Sequence, residues 1–188
     1  MKLALFPLSV HLLPGGIMPL RIFEPRYQRM IAEAGDAGFG LCMWDSRQGD
    51  ELRNMYPIAT RVRIIDFDML PDGLLGITVQ GVERLRIQRL WQEPDGLRVG
   101  EVEQLPLWQC GRLPRDQRNL AQALREVFSD YPEYAALYRE PDWDDACWVA
   151  QRWIEVLPIP PEQKQWLMAC EDYHPALSLL SNLLVASH

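Results

Sequence analysis

Lysine is nearly absent from this chain: of its 188 residues only Lys2 and Lys164 are lysines, so seventeen of the nineteen basic residues are arginines. A phosphate-binding loop needs a glycine-rich turn that ends in lysine before Ser or Thr, and neither lysine sits in such a setting. That excludes nucleotide hydrolysis by this route. Ser-Lys catalysis would have to draw on the same two lysines, and no serine lies in a G-x-S-x-G turn. The three histidines, His11, His174 and His188, form no H-E-x-x-H pattern and join no Cys/His ligand cluster, so no metal is expected. Cys42, Cys110, Cys147 and Cys170 lie tens of residues apart without a C-x-x-C pair. Neither a zinc site nor a redox motif follows from that spacing, and buried free thiols in a reducing compartment are the expectation.

Long apolar runs are missing too. Nothing approaches the roughly 20 residues of a membrane span. The apolar opening Met1–Phe6 is interrupted by Pro7, His11 and Pro14-Gly15-Gly16, and no A-x-A-like cleavage site follows, so it reads as a first strand and not as a signal peptide. A cytoplasmic protein with no membrane and no cofactor is expected.

What is present describes an ordinary folded chain: 48% hydrophobic and 24% charged residues. This length supports one domain or two small ones, burying roughly 70% of the unfolded surface without a staple. Nineteen basic against 26 acidic residues give a formal charge of -7, which argues against nucleic acid unless arginines gather on one face.

The organising stretch is Pro19-Leu20-Arg21-Ile22-Phe23-Glu24-Pro25-Arg26-Tyr27. Met18, Leu20 and Ile22 lie two apart, so as a strand they face one layer while Arg21 and Phe23 face the other. Pro25 then suits the first turn of a helix, where its missing N–H has no partner anyway, and Glu24 suits the positive end of the helix dipole. Tyr27, Met30, Ile31 and Ala34 follow at helical spacing, and Gly35 ends the run.

Around this stretch, Leu3 to Leu13 suggests a short edge strand, and Phe39 to Trp44 a buried one. Gln48 to Asn54 reads as an exposed loop. Residues 58–68 and 74–80 alternate in polarity about a Pro71-Asp72-Gly73 turn, and residues 84–88 and 97–105 about Pro94-Asp95-Gly96. Gly81 marks a bend or bulge, and the parity break between Val99 and Val102 makes Gly100 a second candidate. Many short antiparallel strands with tight turns argue for a barrel or curled sheet.

Beyond about Pro106 the period becomes helical. Leu120, Leu124, Val127 and Phe128 form one face, ended at Tyr131-Pro132. Asp142 or Asp144 is the candidate cap of a helix carrying Ala146, Val149, Trp153 and Leu157, stopped by Pro158. Pro160-Pro161-Glu162 opens another, with Trp166, Leu167 and Cys170 inward, and Leu177, Leu180 and Leu184 mark a last. The chain therefore divides into a β part, residues 1–106, and an α part, residues 107–188.

The acidic group Asp142, Asp144, Asp145 and Glu155 reads as helix capping and solvated charge, so no catalytic residue is assigned, although an assembled triad stays open. Trp143, Trp148, Trp153 and Trp166 read as packing at helical spacing.

Several of these segments together resemble the N-terminal substrate-binding domain of Lon proteases. They are Leu5-Phe6-Pro7-Leu8, Leu13-Pro14-Gly15, the stretch from Pro19 to Tyr27, Phe39-Gly40, residues 72–77 and Gly81 to Ile87; the tail around Trp153–Pro158 and Lys164–Leu184 is similar as well. Phe23-Glu24-Pro25-Arg26-Tyr27 is the most specific part. The resemblance implies an α+β fold, a PUA-like antiparallel β-barrel with a short helix followed by a C-terminal helical bundle. It also implies a stand-alone bacterial form without ATPase and peptidase parts, that is, a non-catalytic module binding unfolded or exposed apolar polypeptide segments. Such segments would be held by an added strand at a sheet edge or by apolar side chains in a groove.

Pro14, Pro19, Phe23, Arg26 and Tyr27 are the candidate peptide-binding residues. The prolines would shape the loop, Phe23 and Tyr27 would supply apolar contact, and Arg26 would pair with a carboxylate or carbonyl. A protease or chaperone partner and a homo-oligomer stay open. An RNA-binding PUA-like module is the alternative, resting on Arg61, Arg63, Arg84 and Arg86.

Overall fold

The computed structural model describes residues 1–45 and 54–186, so most of the loop expected at Gln48 to Asn54 lies outside the described residues. The chain falls into two compact units, Met1–Leu105 and Pro106–His188.

The first unit is a six-stranded sheet with one helix. Strands β1 (Lys2–Leu8), β2 (Ile17–Ile22), β3 (Phe39–Trp44), β4 (Met55–Met69), β5 (Leu75–Gln92) and β6 (Arg98–Gln104) lie in the order β2-β5-β4-β3-β1-β6, and β5 also pairs with β6. The pairing path therefore returns to β5, whose first half carries β2 and whose second half carries β6. This differs from the expected set of short antiparallel strands: β4 and β5 have 15 and 18 residues, and β1 runs parallel to β3. Nor is β1 an edge strand, because it lies between β3 and β6. It tolerates Pro7 because its pairing with β6 covers only Lys2 to Leu5.

Bulges let β5 serve two cores. Between Arg61 and Val62 of β4 the partner jumps from Glu83 to Gly81, leaving Val82 as the extra residue beside the expected glycine. Before it Ile77 and Val79 enter one apolar cluster; after it Leu85 enters another. One extra residue flips the period-2 alternation, which is how a bulge re-aims side chains. Gly100 is no bulge. The irregularity lies opposite, at Gln88, between the pairs Ile87–Val102 and Arg89–Glu101. Residues Leu97 and Val99 face the first cluster and Val102 the second, because β6 is buried on both faces. Glycine stands at 100 because a Cβ there would meet Leu5 Cδ1 at 2.9 Å.

Helix α1 (Pro25–Ala34) has Pro25 in its first turn and ends at Gly35 with φ 50°. It buries Tyr27, Met30 and Ala34, one face at spacings of three and four. The Tyr27 ring stands 4.5 Å from that of Phe6, which is 6.3 Å from Phe39. Burying side chains of this size contributes roughly 1.5–3 kcal/mol each, enough to fix a ten-residue helix that propensity alone would leave marginal.

The second unit holds α2 (Arg118–Asp130), the single turn α3 (Pro132–Ala135), α4 (Ala146–Val156), α5 (Pro161–Ala169) and α6 (His174–Ala186). The cap of α4 is Asp145 and neither Asp142 nor Asp144: its carboxylate accepts the Trp148 N–H at 2.7 Å. In α5 the inward residues are Gln165, Leu167 and Met168, whereas Trp166 is exposed and Cys170 half-buried. Trp153 is buried and donates to the Leu120 carbonyl at 2.9 Å. Cys110 and Cys147 form a disulfide, so free thiols remain at Cys42 and Cys170 alone. Spacing along the chain carried no sign of that bond, because the two residues are 37 apart and meet only through the fold.

Candidate functional site

In the antiparallel β1–β6 ladder, Met1 and Val102 exchange both backbone bonds, at 2.9 and 2.7 Å. Alternation then turns the backbones of Leu3 and Leu5 toward β6 and places Pro7 on that same edge, beyond the point where β6 pairing stops. In β2, which pairs only with β5, Gly81 N–H donates to the Gly16 carbonyl in register. Met18, Leu20 and Ile22 therefore face β5, and Pro19 and Arg21 face outward. Besides the outer edge of β4 beyond Val62, two unpaired strand edges result among the described residues, and each of these two carries a proline.

These two edges border a groove of about 520 Å³. Phe6 to Ser9 come from β1 and its exit, Pro19 to Arg21 from β2, and Phe23, Glu24, Arg26 and Tyr27 from the strand-to-helix junction. Trp44 at the end of β3 and Arg98 at the start of β6 complete it. Phe23 is 61% exposed at its lip, whereas Tyr27 is only 6% exposed and forms part of its floor. The expectation that Tyr27 offers a free apolar surface is thus corrected: its ring is spent on Phe6.

Arg26 is also committed within the chain. Its Nε donates to Glu24 Oε2 at 2.8 Å, its Nη1 to the Gly96 carbonyl at 2.9 Å, and its guanidinium lies 4.9 Å from the Tyr27 ring centre. Burial lifts the Tyr27 phenol above its ordinary pKa, against the opposing pull of Arg26 and Arg98. Burial likewise raises the Cys42 thiol, opposed by Arg98. Both groups are therefore neutral and unreactive near pH 7.

The structure brings Pro19, Phe23, Arg26 and Tyr27 together. Pro14 is elsewhere, in the turn packed on Gly81, where a Cβ would lie 2.3 Å from the Leu13 carbonyl. Phe6, Leu8, Trp44 and Arg98 went unnoticed in the sequence as site residues. They belong to three strands whose convergence is a property of pairing and leaves no local signal.

The four arginines proposed as a phosphate-binding face do not form one. Arg84 is buried, and Arg61 donates to Glu83 at 2.6 Å. The acidic group near α4 is also structural: Asp145 caps the helix, and Glu155 accepts from the buried Arg152 at 2.8 and 2.9 Å. Among the described residues, Cys110, Asp145 and Cys147 are spaced to hold a metal ion. The disulfide uses both sulfurs and the cap uses an Asp145 oxygen, so the donor set does not fit one.

A mixed α/β domain with a bulged six-stranded sheet and an aromatic groove at its strand-to-helix junction is the class these features define. The chain belongs to the family of ATP-dependent protease La (LON) substrate-binding domains, whose model matches residues 2–186. It is 32% identical to a solved Lon N-terminal domain protein from Xanthomonas campestris, with a TM-score of 0.76 over 97% of this chain and 98% of that one. The N-terminal domain of the Mycobacterium avium complex Lon protease shares the fold, with a TM-score of 0.62 at 16% identity over 97% of each chain. Lon protease 1 of Hydrogenovibrio crunogenus is 25% identical over 127 residues, 65% of this chain. The chain matches 15% of that relative's length.

Proposed function

We propose that this chain is a non-catalytic polypeptide-binding module that holds exposed apolar side chains of unfolded segments in the groove around Phe23. The observation that carries this reading is Phe23 itself, a large apolar side chain left 61% exposed at the lip of an aromatic cleft in a substrate-binding family. Burying that ring against a ligand would recover the exposed apolar area. The returning pairing path supports reading the sheet as a closed PUA-like barrel, and the packing of α2 on α3 and α4 and of α4 on α6 supports reading the helices as a bundle.

Of the two binding modes, side-chain capture is favoured over strand addition. An added strand needs N–H donors along the receiving edge, and Pro7 and Pro19 remove one from each of the two edges that border the groove. We place the protein in the cytoplasm as part of this reading. The Cys110–Cys147 disulfide weighs against that placement, since a reducing compartment would leave both as thiols, and thiol titration of protein purified under alkylating conditions decides: four thiols support the placement and two refute it.

The functional test is titration of a fluorescently labelled, permanently unfolded protein against wild type and a Phe23→Ala, Trp44→Ala variant. Binding is expected to weaken at least about tenfold, as for loss of aromatic anchors at an interface, with an unchanged circular dichroism spectrum. Equal affinity of two folded proteins refutes the site.

A further inference from the structure

We infer that the outer edge of β4 from Arg63 to Met69 is a second polypeptide site, which takes up by strand addition an extended segment alternating lysine or arginine with apolar residues. This goes beyond the groove reading and does not rest on it, because none of these residues lines the groove.

The backbone of this edge is available for pairing. Strand β3 pairs with β4 only as far as Val62, so the residues beyond it are paired on the β5 side alone. Leu70 N–H donates to the Leu74 carbonyl at 2.9 Å. Alternation from that pair turns the backbones of Asp68 and Asp66 toward β5 and those of Met69 and Phe67 outward. No proline interrupts residues 63–69, in contrast to Pro7 and Pro19 on the two edges at the groove. An exposed row of outward N–H and C=O groups is a template for another strand.

The side chains decide which strand. Phe67 lies opposite Ile77 and Met69 opposite Leu75, on the face where Ile77 and Leu75 pack into the first apolar cluster, yet Phe67 is 60% and Met69 70% exposed. Asp66, opposite Thr78, and Asp68, opposite Gly76, stand on the other face. Asp72 in the turn pairs with Arg21, whereas among the described residues Asp66 and Asp68 form no ion pair. A strand laid here meets apolar side chains on one face and carboxylates on the other, and an alternating basic and apolar sequence complements both. The chain's formal charge of -7 attracts the same segment. It disfavours a second copy of this edge, whose aspartates and net charge would repel. Asp66 adds selectivity, because its Oδ1 accepts the outward Phe67 N–H at 2.9 Å. A basic side chain on the incoming strand draws that carboxylate away while a carbonyl takes the donor. A neutral or acidic segment leaves the displaced carboxylate without a partner.

The test uses fluorescein-labelled peptides blocked at both ends, read by anisotropy against the full chain: an alternating Lys-Val-Lys-Ile-Lys-Val peptide, a block peptide of the same composition with its lysines grouped at one end, and an alternating peptide with Glu in place of Lys. The alternating lysine peptide is expected to bind at least about tenfold more tightly than either of the others. N-methylation of every second residue should abolish binding in one phase of the alternation and spare it in the other, because only alternate N–H groups face β4. The double variant Asp66→Asn, Asp68→Asn should weaken the lysine peptide about tenfold, and Phe23→Ala should leave its affinity unchanged. Equal affinity for the alternating and block peptides overturns the proposal as general attraction to an acidic protein, and so does equal weakening by both methylation phases. Loss on Phe23→Ala without change in the Asn variant places the peptide in the groove and overturns it too. A dimer in sedimentation velocity that Phe67→Lys dissociates assigns the edge to a second copy and likewise overturns it. Failure of the lysine peptide to bind overturns the edge site and leaves the groove reading to its own test with unfolded protein. Should the Asn variant not fold, the two methylation phases decide alone.

Discussion

Each unit contains a buried arginine beside aromatic rings, and the settings of the two differ. In the second unit Arg152 is fully buried, gives two hydrogen bonds to Glu155 three residues along the same helix, and lies 5.8 and 5.6 Å from the Tyr138 and Trp148 rings. Phe128, Tyr134 and Trp143 close around the same cluster. Cation, anion and rings pack on one another there. In the first unit Arg98 and Tyr27 face a cleft whose lip is an exposed phenylalanine. Aromatic-plus-arginine composition therefore does not say whether a cluster is enclosed within its unit or borders a cleft.

The largest expected effect tests the closed cluster. Arg152→Ala leaves the Glu155 carboxylate buried without its cation and should cost about 3–5 kcal/mol in denaturant unfolding, while peptide affinity of the remaining folded protein stays at the wild-type value. Loss of affinity without loss of stability would reverse the roles assigned to the two regions. Within the first unit, Tyr27→Ala should cost about 3 kcal/mol by leaving a cavity against Phe6. Phe23→Ala should cost under about 0.5 kcal/mol, since an exposed ring is little used by the fold, yet weaken binding. Equal thermal shifts for these two would mean that Phe23 is packing after all.

A smaller effect falls on the cap of α4. Asp145→Ala removes the acceptor of the Trp148 N–H and should cost about 1 kcal/mol by the same measurement, with Asp145→Asn recovering most of it. The smallest is electrostatic. Arg29 donates to Asp95 at 2.8 and 3.0 Å and to Glu93 at 2.7 Å, which holds both carboxyls below their ordinary range. A depressed carboxylate stabilises above its unfolded pKa and loses that contribution as pH falls through the folded value. The stability gap between wild type and Arg29→Ala should thus be open at pH 7 and close below about pH 4. Added salt should narrow it, because these groups are at the surface.

Legibility followed the range of the interaction. The Pro25 start and Gly35 stop of α1 and its buried face were readable, because capping and periodicity act within a few residues. So were four of the five candidate residues that converge on the groove, since they occupy one continuous stretch. The inside position of β1 was misread from Pro7, whose usual message is an edge; here the neighbouring strand simply stops short of it. Trp166 was assigned inward from an apolar helical stripe, although nothing in a nine-residue helix says which of its faces the rest of the unit will cover.

The family was legible only as a resemblance of whole segments, whereas composition and local pattern by themselves determined the division into a sheet unit and a helical one and the strand-to-helix junction. These follow from period, turn chemistry and caps, all of which are encoded in neighbouring residues. Only the tertiary structure decided that Trp44, Phe6 and Arg98 meet Phe23, that Cys110 finds Cys147, and that Tyr27 turns inward. Those outcomes depend on which distant segments pair and how a bulge turns their side chains, and chain separation hides both.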